Sequence, residues 1–487
     1  MRYSFSDILL KSIGFKPTDD QNRLIGLLEK FVFDQLGTVF ILKCYAGTGK
    51  TTMMSALIKT LPIFGIKTVL LAPTGRAAKV LSLYSDKNAF TIHKHIYFTH
   101  RDDESFNFRL KTNKYKDTIF IVDESSMIGT GNTNGFMERN ILDDLMQYVS
   151  SGERCKLIFI GDTAQLPPVG EILSPALDGE YIYNHYNINI PSDKMSLNDG
   201  NTSIPSYQLT EVVRQALDSN ILRNASNLRW CIDRNRFALP LFKNQDSEDF
   251  KAISAADFED YLRQAYNEYG EDEVICVCRS NKAANILNNR IRYTILDKEN
   301  QIDTGDNLMA VKNNYFWLDD YSKQGFIANG DILKIKRILG YDDKYGYHFT
   351  DIIASFNDYE DEADVEMTIL LDTLNIEKAS LDMSGDDSLY YKVFDNYYKE
   401  CGNKVQAKKN TLSDKYFNAV QVKFANCLTC HKAQGGGWKA VFVFQNYFTE
   451  DMLNKDYLRW LYTAVTRAKE KLFLVNFNED FFVEKTI

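Results

Sequence analysis

The run Cys44-Tyr45-Ala46-Gly47-Thr48-Gly49-Lys50-Thr51 limits what this chain can fold into more than any other stretch of it. The apolar run Val39-Phe40-Ile41-Leu42 precedes it, and a helical pattern from Met53 to Leu61 follows. A buried strand, a glycine-rich loop and a helix in that order make a cradle for phosphate. Gly47 and Gly49 let backbone N–H groups turn inward, with Ala46 and Thr48 as the other loop residues. Lys50 supplies a charge to the β- and γ-phosphates, and the Thr51 hydroxyl is a ligand for Mg²⁺. Thr52 continues the first turn of a helix whose N-terminal dipole end favours an anion. The usual first glycine is replaced by Cys44, so a left-handed backbone there would strain the loop. The plainer reading is a glycine-rich turn before a helix.

A carboxylate pair stands where such a loop needs one. Thr118-Ile119-Phe120-Ile121-Val122 is a continuous β-branched and aromatic run, the pattern of a strand buried on both faces, and it ends in Asp123-Glu124. Asp123 would hold Mg²⁺, and Glu124 would act as general base on an attacking water. By itself an Asp-Glu at a strand end is a common surface feature; beside the phosphate loop it points to nucleoside triphosphate hydrolysis.

The same arrangement recurs along the chain. Thr68–Ala72 reads as a strand ended by Pro73-Thr74-Gly75, with a helix from Arg76 to Ser82. Leu157–Ile160 reads as a strand ended by Gly161-Asp162, with Gln165 and Pro167-Pro168 after it. Polar residues thus gather at strand C-termini, where open α/β sheets place their ligand sites. Val274–Cys278, Ala440–Phe444 and Lys471–Val475 are further strands, with helical periodicity over 282–292 and 457–468, so a second α/β unit without a phosphate loop is expected. A length of 487 residues fits about three domains. The net charge of −9 excludes a general basic field, so nucleic acid would have to be held in a local groove. The eight cysteines show no disulfide framework, and no signal peptide or long apolar segment is evident, which predicts a soluble intracellular chain with reduced thiols and no membrane. Cys427-Leu428-Thr429-Cys430-His431 matches the spacing of haem attachment and of half a zinc site. The nearest second pair, Cys276-Val277-Cys278, is spaced wrongly for zinc.

In their order, the following segments resemble superfamily 1 helicases of the RecD/Dda-like branch called 1B: Thr18-Asp19-Asp20-Gln21; Ala46–Thr51; Ala72-Pro73-Thr74-Gly75-Arg76-Ala77-Ala78; Thr91-Ile92-His93-Lys94; Val122–Met127; Gly161-Asp162-Thr163-Ala164-Gln165-Leu166-Pro167-Pro168-Val169-Gly170; Leu209–Gln215; Thr429-Cys430-His431-Lys432-Ala433-Gln434-Gly435; and Tyr462-Thr463-Ala464-Val465-Thr466-Arg467-Ala468. The resemblance implies an α/β protein with two RecA-like P-loop NTPase-type domains, a small β-hairpin insertion and an SH3-like β-barrel insertion. Motor domain 1 would take residues 1–95 and 117–215, the hairpin or pin 96–116, motor domain 2 216–313 and 425–487, and the barrel 314–424.

The implied activity is an ATP- and Mg²⁺-dependent DNA helicase that moves 5′→3′ on single-stranded DNA. It would act on junctions of single- and double-stranded DNA as a monomeric motor, alongside replication or recombination proteins, in the cytoplasm of a bacterial or phage-infected cell. Two other readings stand beside it: a RecD-like motor subunit of a nuclease complex, and a DNA-stimulated ATPase switch without unwinding. By resemblance Gln165 is a γ-phosphate sensor, and Arg214 and Arg467 are arginine fingers that neutralise charge on the γ-phosphate from across a cleft. Gln21 resembles the residue that reads the adenine edge, while the spacing Thr18…Gln21 equally makes a helix capping box. Pro73, Thr74, Arg76, Thr91 and His93 would line the DNA track on the first lobe, and Thr429, His431 and Lys432 on the second. Gln434 and Gly435 would connect that track to the nucleotide, through a loop that Gly436-Gly437 makes unusually glycine-rich.

The insertions carry less detail. Residues 96–116 match the position of a duplex-splitting hairpin, with Phe98, Phe106 and Phe108 interleaved; a plain surface loop is the alternative. Asn329-Gly330-Asp331 signals a turn, and Ile332–Leu339 and Met367–Leu371 read as strands. Lys404, Lys408 and Lys409 lie in a Lys- and Tyr-rich stretch that reads as a solvated charge run or as a DNA contact. Leu177 to Tyr207 reads as a long surface loop, and Ser247 to Gly270 as the helical start of the second motor domain.

Overall fold

Ser4 and Thr18 each close a reciprocal capping box, so the chain opens with two amphipathic helices, α1 (Phe5–Ile13) and α2 (Asp19–Val32). The structure is a computed structural model. It describes residues 4–33, 36–102, 105–131, 140–186, 204–213, 218–244, 246–318, 326–357, 363–381 and 388–483, with the backbone alone over 99–102 and 105–108.

The first lobe runs through β1 (Val39–Cys44), α3 (Lys50–Thr60), β2 (Lys67–Ala72), α4 (Gly75–Ser85), β3 (Ala89–Thr91), α5 (Ile92–Ile96), β4 (Tyr97–Asp102), β5 (Ser105–Leu110), β6 (Thr118–Val122), α6 (Ile141–Ser150), β7 (Lys156–Gly161), α7 (Gly179–Tyr186) and β8 (Ser206–Leu209). Apart from β4 and β5, the strands form one parallel sheet in the order β3-β2-β6-β7-β1-β8. Every residue of β6 and β7 is buried because helices cover both faces. Phe5, Leu24, Phe31, Met53 and Leu57 pack on one face, and Ile92, Leu142, Leu145 and Ile182 on the other. Each such side chain contributes about 1.5–3 kcal/mol on burial. The strands β4 and β5 form a separate antiparallel hairpin with Tyr97 opposite Leu110 and Asp102 opposite Ser105. Phe98 is exposed on it, whereas the side chains of Phe106 and Phe108 lie outside the described residues.

The second lobe contributes α8 (Asn220–Asp233), β9 (Phe250–Ile253), α9 (Phe258–Tyr269), β10 (Val274–Cys278) and α10 (Asn281–Thr294). The chain then leaves it for a closed barrel of β11 (Asn307–Ala310), β12 (Ile332–Lys344), β13 (Tyr347–Phe356), β14 (Val365–Leu370) and β15 (Val420–Phe424). Register shifts between Ile335 and Arg337 and between Ile338 and Gly340 bend β12 as closure requires. The barrel's first strand lies ahead of residue 314. Between β14 and β15 stand two helices, α11 (Leu389–Cys401) and α12 (Lys404–Leu412), with Lys404, Lys408 and Lys409 exposed. The second lobe resumes with β16 (Cys427–Thr429), α13 (Cys430–Ala433), β17 (Trp438–Phe444), α14 (Lys455–Val465) and β18 (Ala468–Val475). Its parallel sheet has the order β16-β10-β17-β18-β9. Buried Arg292 grips both Asp306 oxygens at 3.0 and 2.9 Å, fastening the barrel's root to α10.

Three expectations need correction. The stretch from Leu177 to Tyr207 is not a loop throughout: it holds α7, whose Ile182 is buried in the first lobe, and β8, which pairs with β1; residues 187–203 lie outside the described ones. The second lobe's opening at Ser247–Gly270 includes β9, an edge strand paired with β18, ahead of α9. Cys44 brings no left-handed strain, because the positive φ angles of the loop fall on Gly47 (78°) and Gly49 (80°).

Candidate active site

The phosphate loop joins the end of β1 to α3. Gly49 is the N-cap of α3 and no side chain caps it, so the first-turn N–H groups of Lys50, Thr51 and Thr52 have no intrahelical acceptor. Lys50 Nζ stands 3.1 Å from Asp123 Oδ1 and 3.0 Å from Glu124 Oε1. Burial alone would lower the Lys50 pKa, but the two carboxylates hold it above its ordinary value. Burial alone would likewise raise Glu124, and the Lys50 and Arg467 charges pull it below the usual carboxylate range. Glu124 adopts a left-handed backbone with φ of 51°, a strained state for this residue type at the end of β6. Tyr84 of α4 donates to Asp123 Oδ2 at 2.7 Å.

An open helix end, a lysine and oxygen donors from an exposed Thr51 and from Asp123 suit a nucleotide phosphate and a hard divalent cation. Gln21 makes the capping box and also reaches the phosphate loop. Its Oε1 accepts from Thr18 N at 3.0 Å as the capping box requires, while its Nε2 donates to Thr48 O at 3.0 Å and lies over Gly49.

Lobe 2 closes on this site. Gln165 is buried and its Oε1 has no hydrogen-bond partner, which leaves a polar atom free beside the carboxylates' sheet edge. Gln434 Nε2 donates to Leu166 O at 2.7 Å. Arg467 is buried, and its guanidinium donates to Thr463 O, Gly436 O and Thr466 Oγ1. Arg214 lies outside the described residues. Asp162, buried at the end of β7, accepts from Tyr462 at 2.6 Å and from Ala164 N at 2.9 Å; burial pushes its pKa up to about 6 against those bonds.

The residues expected to line a DNA track cluster at the C-terminal ends of β2, β3 and β16. Pro73 and Thr74 follow β2, and Thr74 Oγ1 caps α4. Thr91 Oγ1 caps α5, and His93 sits in its first turn, where burial lowers its pKa to about 4. Thr429, exposed His431 and half-buried Lys432 sit at the end of β16 and in α13. Gly435 brings the two lobes into contact: a Cβ there would lie 3.0 Å from Ala77 Cβ and 3.3 Å from Thr74 Oγ1. The Arg76 guanidinium lies 3.8 Å over the Trp438 ring, between the lobes rather than in the open. From the barrel, Phe326 meets the His93 ring at 6.3 Å and Asn329 accepts from Lys432.

Tyr84, Phe326, Asn329 and Trp438 were not visible as site residues in the sequence, since each meets its partner only through the tertiary fold. The two thiols of the Cys-x-x-Cys-His run face opposite sides of the sheet, Cys427 with Phe442 and Cys430 with Trp460, so they cannot share a metal. Among the described residues no group of three or more metal-binding side chains is assembled, and no helix is long and apolar enough to cross a membrane.

Two parallel-sheet lobes, a phosphate loop and its carboxylates on one, and an arginine from the other acting on Glu124 define a two-lobed α/β fold of the P-loop class. Residues 30–172 match the model of an AAA domain, and residues 424–475 that of a UvrD-like helicase C-terminal domain. The chain is 27% identical over 474 residues to the uncharacterized protein MJ1519 of Methanocaldococcus jannaschii, covering 90% of this chain and 36% of that protein. It is 28% identical over 200 residues to the ATP-dependent RecD2 DNA helicase of Deinococcus radiodurans, covering 40% and 23%. It is 33% identical over 128 residues to the ATP-dependent DNA helicase dda of Enterobacteria phage T4, covering 26% and 27%. The chain thus spans about a third of the archaeal relative's length and about a quarter of the other two. These matches make the chain similar to helicases of superfamily 1B, with RecD2 and dda among its relatives.

Proposed function

We propose that the chain is an ATP- and Mg²⁺-dependent DNA helicase that moves 5′→3′ on single-stranded DNA. The observation that carries the reading is the cluster of Lys50, Asp123 and Glu124 at an uncapped helix end, with Arg467 of the other lobe lowering the Glu124 pKa. When bound, ATP with Mg²⁺ supplies the phosphoryl group and the metal charge that polarises it; Thr51 and Asp123 are the residues to hold the metal. Lys50 leaves the carboxylates for phosphate oxygens. Glu124, no longer neutralised by Lys50, takes the proton of the attacking water. Gln165 has a free buried Oε1 with which to orient that water, and Arg467 and Arg214 neutralise charge from the second lobe.

Thr74, Arg76, Thr91 and His93 on one lobe and Thr429, His431 and Lys432 on the other hold the strand's backbone independently of sequence. Opening and closing of the cleft alternates their grip, and the hairpin of β4 and β5 parts the duplex. The dda and RecD2 relatives, each an ATP-dependent DNA helicase, support this assignment. The test is unwinding of forked DNA with a 5′ or a 3′ single-stranded tail, with ATP and Mg²⁺, beside Lys50→Ala. Unwinding from the 5′ tail alone, lost in the variant, is expected. Hydrolysis without unwinding would refute the helicase reading, and unwinding from the 3′ tail would refute its polarity.

A further inference from the structure

Helix α14 of the second lobe holds the segment that follows β7 in the first. Thr463 Oγ1 accepts from Leu166 N at 2.9 Å, and Arg459 donates to Ile172 O at 2.7 Å and to Thr163 O at 3.3 Å. Tyr462 on the same helix does something more. Its fully buried hydroxyl donates to Asp162 Oδ2 at 2.6 Å and accepts from Ala46 N at 3.1 Å. It is therefore a hydrogen-bonded bridge from the second lobe to the phosphate loop itself, made one residue ahead of the left-handed turn at Gly47. The residue before Ala46 is gripped as well: the guanidinium of Arg229, from α8, lies on the Tyr45 ring while its Nη2 donates to Asp233 at 3.0 Å. Helix α8 packs on α14 through Leu228 and Leu461, so Tyr45 and Ala46 are both referred to one rigid part of lobe 2.

We propose that the Tyr462 hydroxyl is a positioning group of the nucleotide site, through which the second lobe sets the register of the phosphate loop. The inference rests on the ATPase reading above. Hydrogen bonds are directional and tolerate shifts of only tenths of an ångström. A rotation of α14 is therefore passed on at once to the Ala46 amide and to Asp162, whose chain leads to Gln165. Phosphate loop and sensor loop then move to their hydrolytic positions together, and only when the second lobe does.

The experiment compares single-stranded-DNA-stimulated ATP hydrolysis by the wild type, Tyr462→Phe and Thr463→Val, with the affinity for fluorescent ADP measured on each. Tyr462→Phe is expected to lower kcat by about tenfold or more while KM and the ADP Kd stay within about threefold. Thr463→Val breaks a bond of the same helix to the first lobe that does not touch the phosphate loop, and is expected to cost kcat less. A Tyr462→Phe kcat within about threefold of wild type, a rise in KM alone, or equal losses in the two variants would each overturn the proposal. Should the orphaned carboxylate unfold Tyr462→Phe, the double variant Tyr462→Phe/Asp162→Asn takes its place under the same criteria. A wild type that hydrolyses nothing brings down the site reading itself, whereas an active wild type matched by Tyr462→Phe brings down only the positioning role.

Discussion

Lys50→Ala should destabilise the nucleotide-free protein as well as silence it. Lys50 Nζ makes 3.1 and 3.0 Å contacts with Asp123 and Glu124, whose side chains are only 6% and 14% exposed, while Lys50 itself is 22% exposed. Hydrogen bonds to charged groups contribute about 1.5–3 kcal/mol each, and stranding a buried charge costs about 3–5 kcal/mol. Solvent reaches Lys50, and its ordering entropy is released on truncation, so the net loss sits near the lower end, about 3 kcal/mol. For a unit the size of the first lobe, 1 kcal/mol moves the midpoint by about 2–4 °C, giving a drop of about 6–12 °C.

The pH dependence of that drop has a definite sign. Glu124 is depressed in the folded protein, so its contribution is present above the ordinary carboxylate value and is lost as pH falls through the lowered one. Without Lys50, burial raises Glu124 instead, and acidification then relieves the variant. The gap between variant and wild type should be widest near neutral pH and shrink below about pH 4.5. Glu124→Gln in the Lys50→Ala background should recover much of the loss, closing a double-mutant cycle. Differential scanning calorimetry without nucleotide is the assay. A midpoint within about 2 °C of wild type at neutral pH, or a gap that ignores pH, would refute the ion pair as the source.

Asp162 titrates in the opposite sense. With its pKa raised to about 6, the stability it offers is present below its ordinary value and lost as pH rises through 6. Asp162→Asn should therefore gain about 1–1.5 kcal/mol on wild type between about pH 5 and 7.5 in thermal melts, and a constant difference would refute the assignment. Lys432, lowered to about 8 by burial and the Lys423 charge, should lose its positive charge as pH rises through that value. Single-stranded-DNA affinity should weaken between about pH 7 and 9 in the wild type and hold in Lys432→Arg, as fluorescence anisotropy would report. Replacing the hairpin from Tyr97 to Leu110 with a short glycine linker should spare DNA-stimulated hydrolysis and abolish unwinding of forked duplexes; retained unwinding would place strand separation elsewhere.

The parallel sheets were readable because strands buried on both faces must be apolar without interruption, as Thr118–Val122 and Val274–Cys278 are. The phosphate loop was readable because phosphate chemistry fixes the order of its residues along one short stretch. Helix α7 escaped because Gly179–Tyr186 is rich in tyrosine and polar residues and offers one fully buried aliphatic, Ile182. Strand β9 escaped because four residues at a sheet edge, with burial only at Phe250 and Ile253, carry too short a pattern. Tyr462 lay inside a recognised segment, yet its role depends on Ala46 and Asp162, which the chain brings near only by folding. Arg229 had no signal at all: on α8 it reads as one surface arginine among several.

The glycine run after Gln434 shows how a sequence oddity becomes a requirement once two lobes meet. Gly435 takes a φ of 73°, which a β-carbon would strain, and places its backbone against Thr74 and Ala77 at the start of α4. Gly436 has no unusual φ, so its reason is space. A Cβ there would fall 2.6 Å from the Trp438 ring and 2.7 Å from Arg76 Nε, driving apart the stack that holds Arg76 at 3.8 Å. At Gly437 the nearest atom is the flexible Lys469 Cε at 3.1 Å, a neighbour that can move. The three glycines therefore have unequal grounds: conformation at 435, contact at 436 and only mild crowding at 437. The middle one ties Arg76, a residue of the proposed track on the first lobe, to the second lobe's sheet. A cation over an aromatic ring contributes about 0.5–2 kcal/mol. That is small enough for a phosphate to compete for the same guanidinium, so on the proposed function strand capture and lobe contact would draw on one side chain.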